Sequence, residues 1–322
     1  MKEIVFIRQN AEKWKHFEDI VRLRTKRDPD TLARLFIELT DDLSYARTFY
    51  PRSVVTRYLN SITARFHQEI IKNKKEQRRR IAAFWTQEQP ALIRLHWKEM
   101  IVSLSVFVVG AIIGILSSAF DDGFVRLVLG DSYVKVTLEN IHKGDPMAVY
   151  KSMNNVDMFL GVTINNLMVA MVAFALGTLF SVGSGYIIFT NGVMLGAFHH
   201  FFYTKGLLLT CVASVWIHGA MEIPAVIIAG GAGIVVGNSI LFPGTYTRTA
   251  SFMRGAREGL AILVGVVPFF VVAGVLEGFV TRYSGMPRLL SAAIIALSCM
   301  VVIGYYVIYP IMFSKTVRER SV

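Results

Sequence analysis

Trp216-Ile-His-Gly-Ala-Met-Glu-Ile-Pro-Ala225 is the stretch that decides the fold. It sets a histidine, a carboxylate and a proline inside an otherwise apolar run from about Leu207 to Phe242. A run of this length and character reads as membrane-spanning, because a helix needs about 20 apolar residues to cross the hydrocarbon layer. An ionisable side chain at mid-bilayer depth costs about 2.5–3.5 kcal/mol on insertion scales, so such groups turn toward a bundle interior and mark functional candidates. His218 and Glu222 are four residues apart, which puts them one turn apart on one helix face. There they can share a proton, a metal ion or a hydrogen-bond partner from another helix. The run is too long for a single crossing, and Gly219 and Pro224 are expected to break it.

The same character recurs along the chain. Of the 322 residues 53% are hydrophobic, mean hydropathy is +0.48, and after Glu99 the apolar residues gather in runs of about twenty. Candidate spans cover about 101–120, 159–182, 186–203, 207–242, 259–280 and 289–313, giving six expected crossings. The runs are continuous and do not alternate apolar with polar, which excludes a transmembrane barrel and leaves helices to satisfy the backbone. The expected class is an all-α polytopic membrane protein. Its expected organisation is a basic helical domain over 1–99, a transmembrane domain over 100–314 with an outer helical elbow at 121–158, and a tail at 315–322.

Charge sets the expected orientation. Residues 1–99 hold 21 Lys and Arg, whereas 121–158 hold four. The positive-inside rule therefore places the first segment in the cytoplasm and 121–158 outside. Met1–Arg8 has too short an apolar run for a secretory signal. Six crossings return the C-terminus, with Lys315, Arg318 and Arg320, to the cytoplasm. The formal net charge is +11, and residues 1–99, with 13 acidic groups, carry +8 of it. Lys72, Lys74, Lys75, Arg78, Arg79 and Arg80 read as a juxtamembrane patch for anionic lipid or a partner protein. No nucleic-acid motif accompanies the charge, so no nucleic-acid partner is expected. Cys211 and Cys299 lie within spans and read as packing residues.

Within 1–99, Trp14, Phe17, Ile20 and Val21 share a face, Leu32, Leu35, Phe36 and Leu39 mark a second helix, and Val54, Tyr58, Ile62, Phe66 and Ile70 mark a third from about Ser53 to Thr86. Three such helices can bury a modest core. Pro90 opens a short interfacial helix, with Trp97 at headgroup level. Outside, Lys143-Gly-Asp-Pro-Met-Ala-Val-Tyr150 reads as an elbow, with Gly144 stopping one helix and Asp145 and Pro146 starting the next.

Five polar or glycine-rich motifs recur inside the spans, in order: Asn165-Asn166, Asn191-Gly-Val-Met-Leu-Gly196, His218-Gly-Ala-Met-Glu222-Ile-Pro224, Gly230-Gly-Ala-Gly233 and Glu277-Gly-Phe-Val-Thr281. Together they resemble the stage II sporulation protein M family of bacterial integral membrane proteins, over about residue 10 to the last span. The resemblance implies an inner-membrane scaffold that assembles envelope-remodelling partners. It also implies a possible link to a cytoplasmic MoxR-type ATPase system. The helical domain over 1–99 is more developed than in the sporulation namesake, so a role outside sporulation is expected.

Three uses of the polar residues stay open. His218 and Glu222 can satisfy backbone groups freed around Pro224 and tie helices together, which is the commoner use of such residues. They can line a path for an ion or small amphiphile, with Asn165, Asn166, Asn191, Glu277, His199 and His200 lining a cavity that opens outward. They can serve an intramembrane hydrolase, although a metalloprotease helix needs two histidines and His218-x-x-x-Glu222 supplies one. No catalytic residue, cofactor or metal is assigned. No phosphate-binding loop or nucleophile elbow is present. Gly110/Gly114, Gly192/Gly196, Gly233/Gly237 and Gly274/Gly278 are small-xxx-small pairs suited to close helix approach, mostly within the chain, with one or two free to form a homodimer seam.

Overall fold

The computed structural model describes residues 2–23, 29–72, 81–146, 148, 154–281 and 286–313. They are helical with no strand among them, and the chain divides into two compact units, 1–82 and 83–322.

The first unit is built from α1 (Glu3–Leu23), α2 (Pro29–Phe49) and α3 (Val54–Lys72). Its core is Phe6, Trp14, Phe17, Leu39, Leu43, Ala46, Val55, Leu59 and Ile62. The Trp14 indole N–H donates to Asp42 at 2.8 Å, and Lys13 pairs with the same carboxylate at 2.5 Å. The inward face of α3 differs from the expected one. Val54 is 71% exposed and Tyr58 reaches outward to Glu18, whereas Val55, Leu59 and Ile62 are buried. A strict fourfold spacing drifts about 40° around a helix with each step, while Val55, Leu59 and Ile62 follow the 3.6-residue period. The side chains of Ile20, Val21, Leu32, Phe66 and Ile70 lie outside the described residues, as do Lys74–Arg80.

The second unit begins earlier than residue 100. A π turn at Phe84–Glu88 leads into α4 (Gln89–Leu95), whose Pro90 sits in the first turn where its missing N–H costs nothing. This segment belongs with the bundle: Gln89 is fully buried and donates to the Ile262 carbonyl, and Tyr305 and Tyr309 hydroxyls donate to the carbonyls of Trp85 and Thr86.

The bundle proper comprises α5 (Trp97–Phe120), α8 (Asn155–Ala175), α9 (Val182–Thr204), α10 (Leu208–Leu241), α11 (Arg248–Val275) and α12 (Arg288–Ile303). Two short outer helices, α6 (Asp122–Leu129) and α7 (Asp131–His142), join α5 to α8. Among the described residues, five helical segments are long and apolar enough to cross a membrane: Trp97–Phe120, Asn155–Thr178, Leu208–Leu241, Arg248–Thr281 and Arg288–Phe313. The remaining expected crossing, 186–203, is a helix of 23 residues, but Thr190, Asn191, His199 and His200 make it less apolar than the other five.

α10 is the central helix. It packs against α5, α8, α9, α11 and α12, and most of its residues are buried, as suits a helix apolar on every side. The expected break at Gly219 and Pro224 is absent: α10 is one continuous helix of 34 residues, about 51 Å long. Pro224 removes one backbone bond, yet five packed neighbours hold the helix on both sides of it, which is how proline is tolerated in membrane bundles.

Glycines set how closely these helices approach. A Cβ on Gly110 or Gly114 would lie 2.4 or 2.2 Å from carbonyl oxygens of α9, and one on Gly192 or Gly196 would lie 2.3 or 2.1 Å from carbonyls of α5. The two pairs therefore face each other across one seam. Gly233 and Gly237 of α10 abut Ala173 and Ser181, and Gly274 and Gly278 abut Thr163 and Asn155. All four pairs are occupied within the chain.

The outer helices pack on the ends of α9 and α10 through Val125, Val134, Phe201, Phe202, Cys211 and Val215. Gly144 ends α7 as expected. It has φ +80°, Gly144 N–H bonds Ile141 O and Asp145 N–H bonds Asn140 O, which closes the helix as a Schellman motif. The apolar positions Met147 and Tyr150 beyond it lie outside the described residues.

Candidate intramembrane polar site

α10 carries His218 and Glu222 one turn apart, as their spacing requires. The partner that joins them comes from the end of α11, where the helix widens into a π turn at Leu276–Thr281. A π turn adds a residue to the helical repeat and re-aims the side chains that follow. This one buries Glu277, Gly278 and Thr281 together. Glu277 Oε2 lies 3.8 Å from His218 Nε2, and His218 Nδ1 lies 3.2 Å from the Thr281 hydroxyl. One donor atom from each of His218, Glu222 and Glu277 can be chosen so that all lie within 4.8 Å of one another. Among the described residues no other three His, Cys, Asp or Glu side chains come so close. α8 adds Asn166, which is buried with its side chain beside the Glu222 carboxylate.

The tautomer of His218 follows from its neighbours. The Thr281 hydroxyl donates to the Leu276 carbonyl at 3.2 Å, so its oxygen is left to accept from His218 Nδ1–H. That turns the Nε2 lone pair toward Glu277. An imidazole lone pair and two carboxylates thus face a common point, an arrangement able to share a proton or to hold a cation.

The structure separates the other expected cavity residues. Asn165 is exposed on α8, about 100° around the helix from the buried Asn166. Asn191 donates to Ile187 O of its own helix at 2.8 Å and lines a different pocket, with Ile113, Ser117 and Met194. His199 is held by Leu195 O at 2.9 Å and by the Trp216 indole N–H at 3.0 Å, so it takes no part in the triad. Of the residues expected to line that cavity, Glu277 is buried beside His218. Gly219 has only an ordinary contact, with Ile223, and Pro224 faces an apolar groove lined by Ile93, Trp97, Met100 and Val302. An outward-opening cavity walled by all these residues is therefore not what the bundle builds.

Sequence reading missed two features. Thr281 anchors the histidine; the signal was its position four after Glu277, the same spacing as His218 and Glu222. A second polar cluster sits near the other end of α10, where Asn238 donates to Glu99 at 3.2 Å. There His96 pairs with Glu258 at 2.9 Å and Arg254 bonds the same carboxylate at 2.9 Å. His218 and Asn238 are 20 residues apart on one continuous helix, about 30 Å, close to the hydrocarbon thickness of a bilayer.

Helices of this length and composition, packed around a buried polar triad, define a polytopic α-helical membrane protein. Residues 103–282, more than half of the chain, match the Stage II sporulation protein M family, and the chain belongs to that family. Residues 4–72, which cover α1 to α3, match a domain of unknown function, DUF8413. No curated protein and no solved structure matches the chain.

Proposed function

We propose that this protein is a bacterial inner-membrane scaffold that assembles envelope-remodelling partners. The observation that carries the reading is how its polar span residues are spent. Asn191 bonds within its own helix and shares no cavity with the triad, while His199, Ser103 and Ser184 bond across to neighbouring helices of the bundle. Such bonds fix helices against one another, which is the requirement of a scaffold. The N-terminal helices supply a separately cored unit for a cytoplasmic partner, and α6 and α7 supply an outer surface.

The basic surplus of residues 1–99 supports cytoplasmic N- and C-termini, with Lys72–Arg80 meeting anionic lipid or a protein. The family resemblance adds a MoxR-type ATPase system as a candidate cytoplasmic partner. A second copy of the chain is a further candidate, through a surface other than the four occupied glycine pairs.

The test is co-purification after crosslinking in cells. Charge reversal of Arg78, Arg79 and Arg80 should lose the inner partner, and deletion of 131–150 the outer one. Full recovery of every partner by both variants would sink the scaffold reading. The triad favours one alternative, conduction of an ion or small amphiphile. Reconstituted vesicles showing a pH-dependent flux that Glu222→Gln abolishes would replace the scaffold with a transporter.

A further inference from the structure

We propose that His218, Glu222 and Glu277 form a divalent transition-metal site that pins α10 to the π turn after α11. This goes beyond the scaffold reading and does not depend on it.

The donor set is the first argument. One imidazole nitrogen and two carboxylates suit a borderline first-row cation such as Zn2+ or Mn2+. They are too few, and one too soft, for the oxygen-rich shells of Ca2+ or Mg2+. Charge is the second. Two carboxylates cancel a divalent ion, so the filled site is neutral, which is the state a low-dielectric interior accepts most readily. A monovalent cation would leave a net negative charge there.

Geometry is the third argument. A tetrahedral ion holding N and O ligands about 2.0–2.2 Å away needs ligand atoms about 3.3–3.6 Å apart. His218 Nε2 and Glu277 Oε2 stand at 3.8 Å, and the full set lies within 4.8 Å, so side-chain adjustments of about an ångström bring three of the four ligand positions into place, the fourth going to a water. The surrounding bonds provide the fourth. Metal-bound histidines usually donate their second ring N–H to an oxygen that fixes the tautomer, and ligating carboxylates are themselves hydrogen-bonded. Thr281 takes the first role for His218, and Asn166 lies beside Glu222, placed to take the second. Glu277 and Thr281 both lie in the π turn, which buries them together at this point. The ion's task is structural: it ties two spans together at a place where glycine packing alone does not.

The experiment uses the full-length protein in lipid nanodiscs. Bound metal is measured by elemental analysis after purification without chelator. The protein is then stripped and titrated with Zn2+, and with Mn2+ followed by electron paramagnetic resonance. One ion per chain is expected, with a rise in thermal midpoint on refilling. Glu277→Gln and Glu222→Gln should abolish stoichiometric uptake, and Thr281→Val should weaken it by about tenfold, with Thr281→Ser restoring it. Asn165→Ala, on the exposed side of α8, should bind as the parent does. All variants are compared as monodisperse, helical preparations; the Thr281 pair keeps the test decisive if a glutamine variant does not fold. A stripped parent that takes up neither ion, or a folded Glu277→Gln that binds as well as the parent, overturns the site. A metal-free protein that still recovers its partners would remove this site while leaving the scaffold reading in place.

Discussion

Alanine at Gly114 or Gly196 should destabilise the bundle, although alanine is the better helix former. A Cβ on Gly114 would stand 2.2 Å from Val193 O and one on Gly196 2.1 Å from Ala111 O, where ordinary contact starts at 3.4 Å. Both obstacles are backbone atoms, so α5 and α9 must part by about 1.2 Å. A gap of that size forfeits a quarter to a half or more of the dispersion well for each atom pair along the seam. Overpacking of this kind costs about 1–3 kcal/mol, and the helix preference of Ala returns about 0.8–1.0. The net loss expected for each single variant is therefore up to about 2 kcal/mol. The double variant should cost less than the sum, because the first methyl has already opened the seam for the second. Gly161→Ala and Gly185→Ala are the matched controls, since nothing lies within 4 Å of a Cβ at either position. They should be neutral or slightly stabilising. Unfolding in a common detergent, followed by circular dichroism, measures the difference. If Gly114→Ala and Gly196→Ala unfold with the controls, the two helices do not meet at these glycines. If instead they shift the oligomeric state and leave unfolding unchanged, the seam lies between copies of the chain.

Three further outcomes follow from the packing. Val55→Asp should unfold the N-terminal unit, at about 3 kcal/mol or more for an unpaired buried charge, while Val54→Asp is tolerated; limited proteolysis of residues 1–82 in the intact protein separates the two. Gly265→Ala should push out the Gln89 amide, whose nitrogen would stand 1.6 Å from the new Cβ, and lower the thermal midpoint by an amount equivalent to about 2–3 kcal/mol; Gly304→Ala, with nothing within 4 Å, should leave it unchanged. Ser103→Ala should cost about 1 kcal/mol by removing the interhelical bond that its hydroxyl makes to the Ile227 carbonyl, at 2.6 Å in a fully buried setting. An equal midpoint for Ser103→Ala and the parent would mean that this bond does not help to hold α5 on α10.

Much of the bundle was legible because membrane helices announce themselves through continuous apolar runs, which need no partner to be recognised. The places where reading and structure part company depend on tertiary context. Pro224 carries a strong local signal to break a helix, but the five helices around α10 outweigh the loss of one hydrogen bond. The inward face of α3 was misjudged because Val54 and Tyr58 are as apolar, by type, as Val55 and Leu59; only the packed partners Trp14 and Leu39 decide which pair is covered. The domain boundary was drawn where the first span begins. Glutamine, tyrosine and backbone carbonyls instead fasten 84–95 to the bundle, and such polar ties leave no periodic trace in a sequence.

The candidate site shows the same division within a few residues. His218 and Glu222 could be paired from spacing alone, since four residues on a helix fix their relation whatever surrounds them. Glu277 and Thr281 have that spacing too, but which way they face is set by the π turn at Leu276–Thr281, where an extra residue rotates everything beyond it by about 100°. In an unbroken α-helix the register of α11 would carry them elsewhere. The same register argument divides Asn165 from Asn166: neighbours in sequence point about 100° apart, so one lies exposed and the other reaches Glu222. Convergence of the site thus rests on a single added residue in one helix, and deleting Val280 to restore an α-turn is its sharpest test. The deletion should return Thr281 to a different face and release His218, costing about 1–2 kcal/mol through the lost buried hydrogen bond and weakening any ion held there. A deletion variant that kept both its midpoint and its metal uptake would show that the π turn does not position these groups.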